Sequence, residues 1–211
     1  MSPVTLLPRF LSPEEVEELC RLVDSHREHF RETGGRGGLG PRYRVLGGTE
    51  IRHRLPEVVS LGERRIRPVV EDVAGRPVVP MTCPTRTMRV QIYRGRKGGF
   101  RWHLDGHELA AMVTLRNTNR GETHVIPRRW SRALRYTLYP LYATPSFLSV
   151  APHRRVRTEP GDLLVTPGGS CIHRGVSGSD DGERLLLVFG FDPPGKRRSK
   201  VRDFIARRVN Y

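Results

Sequence analysis

Lysine is almost absent from this chain of 211 residues: three of its 37 basic residues are lysines (Lys97, Lys196 and Lys200), leaving 34 arginines. Against 22 acidic residues this gives a net charge of +15. A basic field of that size attracts nucleic acid, phosphates or acidic proteins. A GC-rich genome also favours arginine over lysine, and 22 glycines and 17 prolines fit that origin. The charge is therefore read first as compositional, and nucleic acid ranks low as a partner. Cysteine is scarce too. Cys20, Cys83 and Cys171 are odd in number, scattered and without a CxxC. That pattern excludes a disulfide framework and a cysteine-rich zinc site and fits a reduced cytoplasmic setting. No apolar run reaches the roughly 18 residues that a membrane helix needs, so no membrane partner is expected. The stretch Met1–Phe10 has no basic region followed by an apolar one and does not read as a signal peptide.

The length suits one domain with a substantial core. Ser12-Pro13-Glu14-Glu15 opens a helix, with Ser12 as N-cap, Pro13 in the first turn and Glu15 completing a capping box. Val16, Leu19, Cys20, Leu22 and Val23 give its apolar stripe, which is expected to run to about His29. His26 and His29 fall on its polar face. Residues 33–48 are glycine-rich, and Gly35, Gly37 and Gly40 formally match GxGxxG. A dinucleotide site is rejected, because no strand precedes the match and Pro41 opens no helix. A connecting loop and a lid over a site both remain open there. A second helix is expected from Arg54 to about Val73, broken or preceded by Pro56 and Pro68, with Ile66 turned inward.

From Met88 the period changes to two. Val90 and Ile92 point one way along Met88–Arg94, and Arg89, Gln91 and Tyr93 the other. Further strands are expected at 100–105, at Leu109–Leu115 with both faces covered, at 121–126, Phe147–Val150, Leu163–Thr166, Cys171–His173 and Arg184–Phe191. Residues 128–146 read as irregular, aromatic and basic, and the tail as helical from Val201 to Val209. Short strands punctuated by turns suggest a sandwich or jelly roll.

The chemistry concentrates in Trp102-His103-Leu104-Asp105. In an extended strand His103 and Asp105 share a face. With His173 downstream they make two imidazoles and one carboxylate, the donor set that leaves open positions on a non-haem Fe(II) ion. Strand parity turns Trp102 the opposite way, towards packing.

Several motifs follow in one order: Phe10–Glu15, Tyr93 and Gly95, His103–Asp105, Gly121-Glu122-Thr123 before Pro127, Pro160–Leu164, His173-Arg174-Gly175, and Arg184 eleven positions after His173. In that order they resemble the Fe(II)/2-oxoglutarate-dependent dioxygenases, in their prolyl-4-hydroxylase-like branch. The resemblance implies a mainly β fold with flanking N-terminal helices, a double-stranded β-helix (jelly roll, cupin-like). It implies one domain, with helical support over about 1–75, a core over about 86–192 and a basic tail. It further implies Fe(II) on His103, Asp105 and His173, with 2-oxoglutarate and O2 as cosubstrates. Arg184 is expected to grip the far carboxylate of 2-oxoglutarate, through a guanidinium suited to two parallel hydrogen bonds, and Tyr93 to donate to the same group.

The implied reaction is hydroxylation of an unactivated C–H bond of a small molecule, anionic or neutral, such as an amino acid or natural-product intermediate. A hydroxylase of a protein side chain such as prolyl is the alternative. A nucleic-acid demethylase ranks last, since that branch carries a second arginine where this chain has Gly190. For substrate contacts the candidates are His124, Arg116 and Asn117, with Arg94 beside them. His107 is expected in a loop past the strand end, with a place beside the ligands as its alternative, and Cys171 as a buried inert thiol near the cavity.

Overall fold

A computed structural model describes residues 4–33, 43–95, 98–137 and 151–196. In chain order the elements are β1 (Thr5–Leu7), α1 (Pro13–Asp24), β2 (Arg31–Thr33), β3 (Tyr43–Gly47), α2 (Gly48–Arg54), α3 (Pro56–Leu61), α4 (Arg67–Ala74), β4 (Val79–Pro80) and β5 (Met88–Arg94). There follow β6 (Gly99–His103), β7 (Leu109–Asn117), β8 (Glu122–Val125), α5 (Arg128–Thr137), β9 (Arg154–Arg157), β10 (Leu163–Thr166), β11 (His173–Val176) and β12 (Glu183–Asp192). The larger sheet runs β1-β10-β7-β12-β5-β3-β2, with β4 added to β12, and the smaller runs β6-β11-β8-β9. Every pairing given for these strands is antiparallel. This is the expected double-stranded β-helix.

The alternation along each strand divides the core. Val90, Ile92, Val113, Leu115, Leu185, Leu187 and Phe189 join the helices in one buried cluster. Tyr93, Met112, Leu164, Leu186 and Val188 meet Val125 and Val156 of the smaller sheet in another. Both faces of β7 and β12 are thus covered, as the apolar runs require. Each fully buried aliphatic side chain contributes about 1.5–3 kcal/mol.

The first helix begins as expected. The Ser12 hydroxyl accepts from the Glu15 amide and the Glu15 carboxylate accepts from the Ser12 amide. It stops at Asp24, five residues short of His29. The Ser25 hydroxyl donates to the Leu22 carbonyl at 2.8 Å, competing with the helical ladder. Arg27 is drawn away to Glu183. The second helix starts at Pro56 and runs to Ala74 as α3 and α4, and a separate short helix, α2, precedes it. Pro68 lacks an amide for the usual bond, and a wider turn, Gly62–Ile66, absorbs the defect, with the Arg67 amide donating to the Gly62 carbonyl. Ile66 is fully buried, as expected. Gly62 sits where a Cβ would come within 2.7 Å of the Phe189 ring, so this turn packs directly on β12.

Other expectations change. Residues 128–137 are helical rather than irregular, held by Ser131, whose hydroxyl donates to the Ile126 carbonyl and accepts from the Ile172 amide. Tyr43–Gly47, inside the glycine-rich stretch, is a strand of the larger sheet. Of the stretch 33–48 read as a connecting loop or a lid, residues 34–42 lie outside the described residues. So do the Phe147–Val150 strand and the helical tail. No helix among the described residues is long and apolar enough to cross a membrane.

Candidate active site

The smaller sheet brings His103 and His173 face to face. They are cross-strand partners in β6 and β11, and their rings lie 4.2 Å apart. Asp105 arrives differently from the strand-parity expectation, because β6 ends at His103. Its amide donates to the Gly168 carbonyl at 2.9 Å, and a Cβ on Gly168 would overlap its carboxylate. A Pro167-Gly168-Gly169 turn therefore cradles Asp105 against the sheet. Its Oδ1 lies 3.3 Å from His103 Nε2 and its Oδ2 3.3 Å from His173 Nε2. One donor atom from each of the three falls within 4.8 Å of the others. Two imidazoles and a carboxylate at that separation suit a single divalent ion with N and O preference, Fe(II) among them.

The electrostatics favour ligation. Burial pushes the Asp105 carboxyl up, but His107, His173 and a hydrogen bond from His103 hold it well below the ordinary carboxylate range. His173 donates from Nδ1 to the Cys171 carbonyl at 3.0 Å, which leaves Nε2 with its lone pair towards the cluster. Burial lowers the His173 proton affinity, and Asp105 more than restores it, so the ring is raised overall.

His107 lies in the loop past the end of β6, as expected, and it also stands beside the ligands. It is 1% exposed, and its Nε2 lies 3.1 Å from Asp105 Oδ2. Burial lowers its proton affinity. His-x-Asp-x-His in the sequence was the available signal, but only the tight packing of Gly190 and β12 behind the ring fixes its place.

The cavity at this cluster is lined by His103, Asp105, His173, Tyr93, Thr123 and Arg184, with Arg89, Gln91, Met112 and Leu186 between them. Arg184 is 2% exposed and spans the barrel from β12 to donate to the Thr123 and Thr158 hydroxyls at 3.1 and 3.2 Å. Its Nε is buried with no hydrogen-bond partner among the described residues. Burial lowers its pKa to about 10, still leaving it cationic at neutral pH. Gly121 makes room for it: a Cβ there would come within 2.8 Å of Arg184 Cδ. An orphaned buried N–H on a desolvated cation that lines a cavity fits a carboxylate ligand. Tyr93 pairs across strands with Arg184, and its hydroxyl donates to Gln91 Oε1 at 2.8 Å. Burial raises its pKa.

The substrate candidates do not reach the cavity. On β8 it is Thr123 that faces in. His124 therefore faces out, hydrogen-bonded to Glu122 and stacked on His153. Arg116 is tied to Asp24 and Glu183. Asn117 closes the turn to β8, donating to the Gly121 and Thr158 carbonyls and accepting from the Gly121 amide. Arg94 also pairs with Glu183. Cys171 precedes β11 instead of lying in it, and it is buried in the cluster that also holds Met112, Leu186 and Val188 of the cavity lining. Trp102 packs against Ile126 and Ile172, with the Arg174 guanidinium 4.6 Å from its ring centroid.

No family model matches the sequence, and no curated protein matches it. Solved structures do share its architecture. The non-haem alpha-ketoglutarate-dependent carbocyclase SnoK from nogalamycin biosynthesis superposes with a TM-score of 0.71 at 17% identity, covering 99% of this chain and 87% of its own. HygX from Streptomyces hygroscopicus, with nickel, 2-oxoglutarate and hygromycin B bound, gives 0.66 at 19% identity, covering 94% and 86%. A Pseudomonas putida prolyl-4-hydroxylase gives 0.54 at 13% identity, covering 92% and 95%. The chain thus has the jelly-roll fold found in non-haem 2-oxoglutarate oxygenases of known structure.

Proposed function

We propose that this protein is an Fe(II)- and 2-oxoglutarate-dependent oxygenase acting on a small molecule, a natural-product intermediate or amino acid. One observation carries the reading. Three metal-donor atoms within 4.8 Å of one another and a buried arginine line the same cavity. In this reading His103, Asp105 and His173 hold Fe(II). Arg184, kept in place by Thr123 and Thr158, takes the distal carboxylate of 2-oxoglutarate, with Tyr93 beside it. Iron with 2-oxoglutarate and O2 supplies the oxidising power, 2-oxoglutarate leaving as succinate and CO2. The chain's own share is to fix the ligands, neutralise the cosubstrate and keep water out through the apolar lining of Met112, Leu186 and Val188.

A small-molecule substrate is supported by the natural-product setting of SnoK and HygX, both of which superpose better than the prolyl hydroxylase. A nucleic-acid substrate is disfavoured by Gly190, where a side chain would run into His107. Hydroxylation is the expected outcome, since a carboxylate completes the ligand set. The experiment is succinate release from 2-oxoglutarate with Fe(II), screened against amino acids and glycosylated or polyketide intermediates. His103→Ala and Asp105→Ala should abolish it. Undiminished release in both variants would refute the metal assignment.

A further inference from the structure

Arginine is spread evenly along the chain, as codon usage would spread it, but the acids are not. Residues 1–75 hold 12 arginines and 12 acids, whereas residues 76–211 hold 22 arginines, three lysines and 10 acids. The whole net charge of +15 therefore belongs to the second part. It is dense between Arg120 and Arg157, where eight arginines meet one acid, Glu122. A bias towards arginine explains the cations and leaves this scarcity of acids unexplained.

The fold puts that stretch on one side. Helices α1 to α4 pack on the larger sheet. Among the described residues, Arg120–Arg157 forms β8, α5 and β9. The two strands belong to the smaller sheet, and Ser131 pins α5 beside them at Ile126 and Ile172. Thr123, Val125 and Val156 face inward, so the cross-strand partners His124 and Arg155 face out, with Arg174 of β11 next to His124. Arg128, Arg129, Arg132, Arg154, Arg155 and Arg157 are all exposed. Glu122 is bonded to His124, and Glu159, just past β9, pairs with Arg157. Like charges crowded on one sheet face are destabilising. Arg128 and Arg129 also stand in the first turn of α5, where the helix dipole favours acids. Charge placed against local stability fits a partner of opposite sign.

The surface chemistry chooses among anionic partners. Membrane insertion needs apolar area, and Trp130, 45% exposed, is the one exposed large apolar side chain among the described residues. Single-stranded nucleic acid needs aromatic platforms, but on this face Arg174 covers Trp102 and His153 covers His124. An exposed tryptophan among arginines matches the anchors of protein interfaces. Arginine also grips carboxylates with two parallel hydrogen bonds.

We propose that the outer face of the smaller sheet, together with the start of α5, is a docking surface for an acidic protein, with Trp130 as its apolar anchor. This goes beyond the oxygenase reading and is measured without turnover.

Fluorescence titration of the full-length chain at low salt tests it. The probes are an oligoglutamate, a single-stranded oligodeoxynucleotide of equal charge and phosphatidylserine vesicles. Wild type should prefer the oligoglutamate, and the affinity should fall with salt. The double variant Arg129→Glu with Arg155→Glu should weaken it by at least about tenfold. Arg64→Glu with Arg67→Glu, on exposed residues of the helical side, changes the net charge equally and should leave the affinity within about twofold. Binding should alter tryptophan emission in wild type and not in Trp130→Phe, since Trp102 is buried. Equal losses in the two double variants would make the attraction one of net charge alone and overturn the proposal. So would no measurable oligoglutamate binding, or an emission change that survives in Trp130→Phe. Tighter binding of the oligodeoxynucleotide or of the vesicles would overturn it in favour of nucleic acid or membrane, and neither result needs a variant that folds.

Discussion

Gly190 supports the imidazole of His107 from below: a Cβ at that position would come within 2.9 Å of the ring's Cγ and Nδ1. The ring in turn lies 3.1 Å from Asp105 Oδ2. A backbone position on β12 therefore sets the depth of a histidine, and the histidine sets a carboxylate. Groups that orient a ligand in this way change metal affinity about tenfold to a hundredfold when altered. Gly190→Ala pushes the ring towards Asp105 and should lower affinity for Co(II), used as a spectroscopic stand-in for Fe(II), by at least about tenfold. His107→Phe, which keeps the ring's bulk and removes its nitrogens, should do the same. Visible absorbance during Co(II) titration reads both, and wild-type affinity in the two variants would show that Asp105 needs no such support.

Metal binding should also register in stability. A ligand that binds the folded chain alone adds about 2.7 kcal/mol at a hundred times its dissociation constant. Thermal melts with Mn(II) or Co(II) should shift upwards, EDTA should reverse the shift, and Asp105→Ala should abolish it. An equal shift in Asp105→Ala would place the ion elsewhere on the chain.

The cradle of Arg184 gives a kinetic prediction. Thr123 and Thr158 receive the same guanidinium nitrogen, 3.1 and 3.2 Å away. Thr123→Val removes one acceptor and leaves the fold of β8 intact, because valine is equally suited to a strand. The cost of one such contact is about 1–3 kcal/mol. It should appear as a rise in KM for 2-oxoglutarate of roughly tenfold with little change in kcat, the signature of lost uniform binding. Initial rates across a 2-oxoglutarate series decide it. A fall in kcat at constant KM would mean that Thr123 acts on the chemical step instead.

Local signals made much of this legible from sequence. The capping box at Ser12, the period-two run at Met88–Arg94 and the continuous apolar strands need no tertiary information, and all three are present as read. His103, Asp105, His173 and Arg184 come together because a jelly roll fixes which strands are neighbours. What failed was decided by contacts between distant segments. Arg154–Arg157 carries one apolar residue, Val156, too few to read as a strand, yet it pairs with β8. Tyr43–Gly47 was hidden behind glycines. Arg116 and Asn117 looked like free polar groups near a strand end, yet Glu183 and the turn to β8 consume them. His124 was misplaced by one residue of parity, which on a strand reverses the face. Thr123 holds the inward position.

The residue that captures Arg116 yields the pH prediction. Glu183 receives Arg27 at 2.5 and 3.0 Å and Arg94 at 3.0 Å, and Arg116 completes the set. Burial alone would raise its carboxyl. The hydrogen bonds from Arg27 and Arg116, with Arg94 behind them, reverse the effect and hold it at about 2. A carboxylate depressed in the folded state contributes stability that is complete above its unfolded value of 4.5 and disappears as pH falls towards about 2. The contribution is at most about 3 kcal/mol, less what solvent screening removes at the exposed Arg94. Glu183→Gln should therefore destabilise the chain at pH 7, and the gap from wild type should narrow steadily between pH 5 and about 2. Urea unfolding of both proteins across that range measures the gap directly. A gap that stays constant with pH would mean that Glu183 acts by packing and neutral hydrogen bonding. In that case the three arginines around it would be held by something other than its charge.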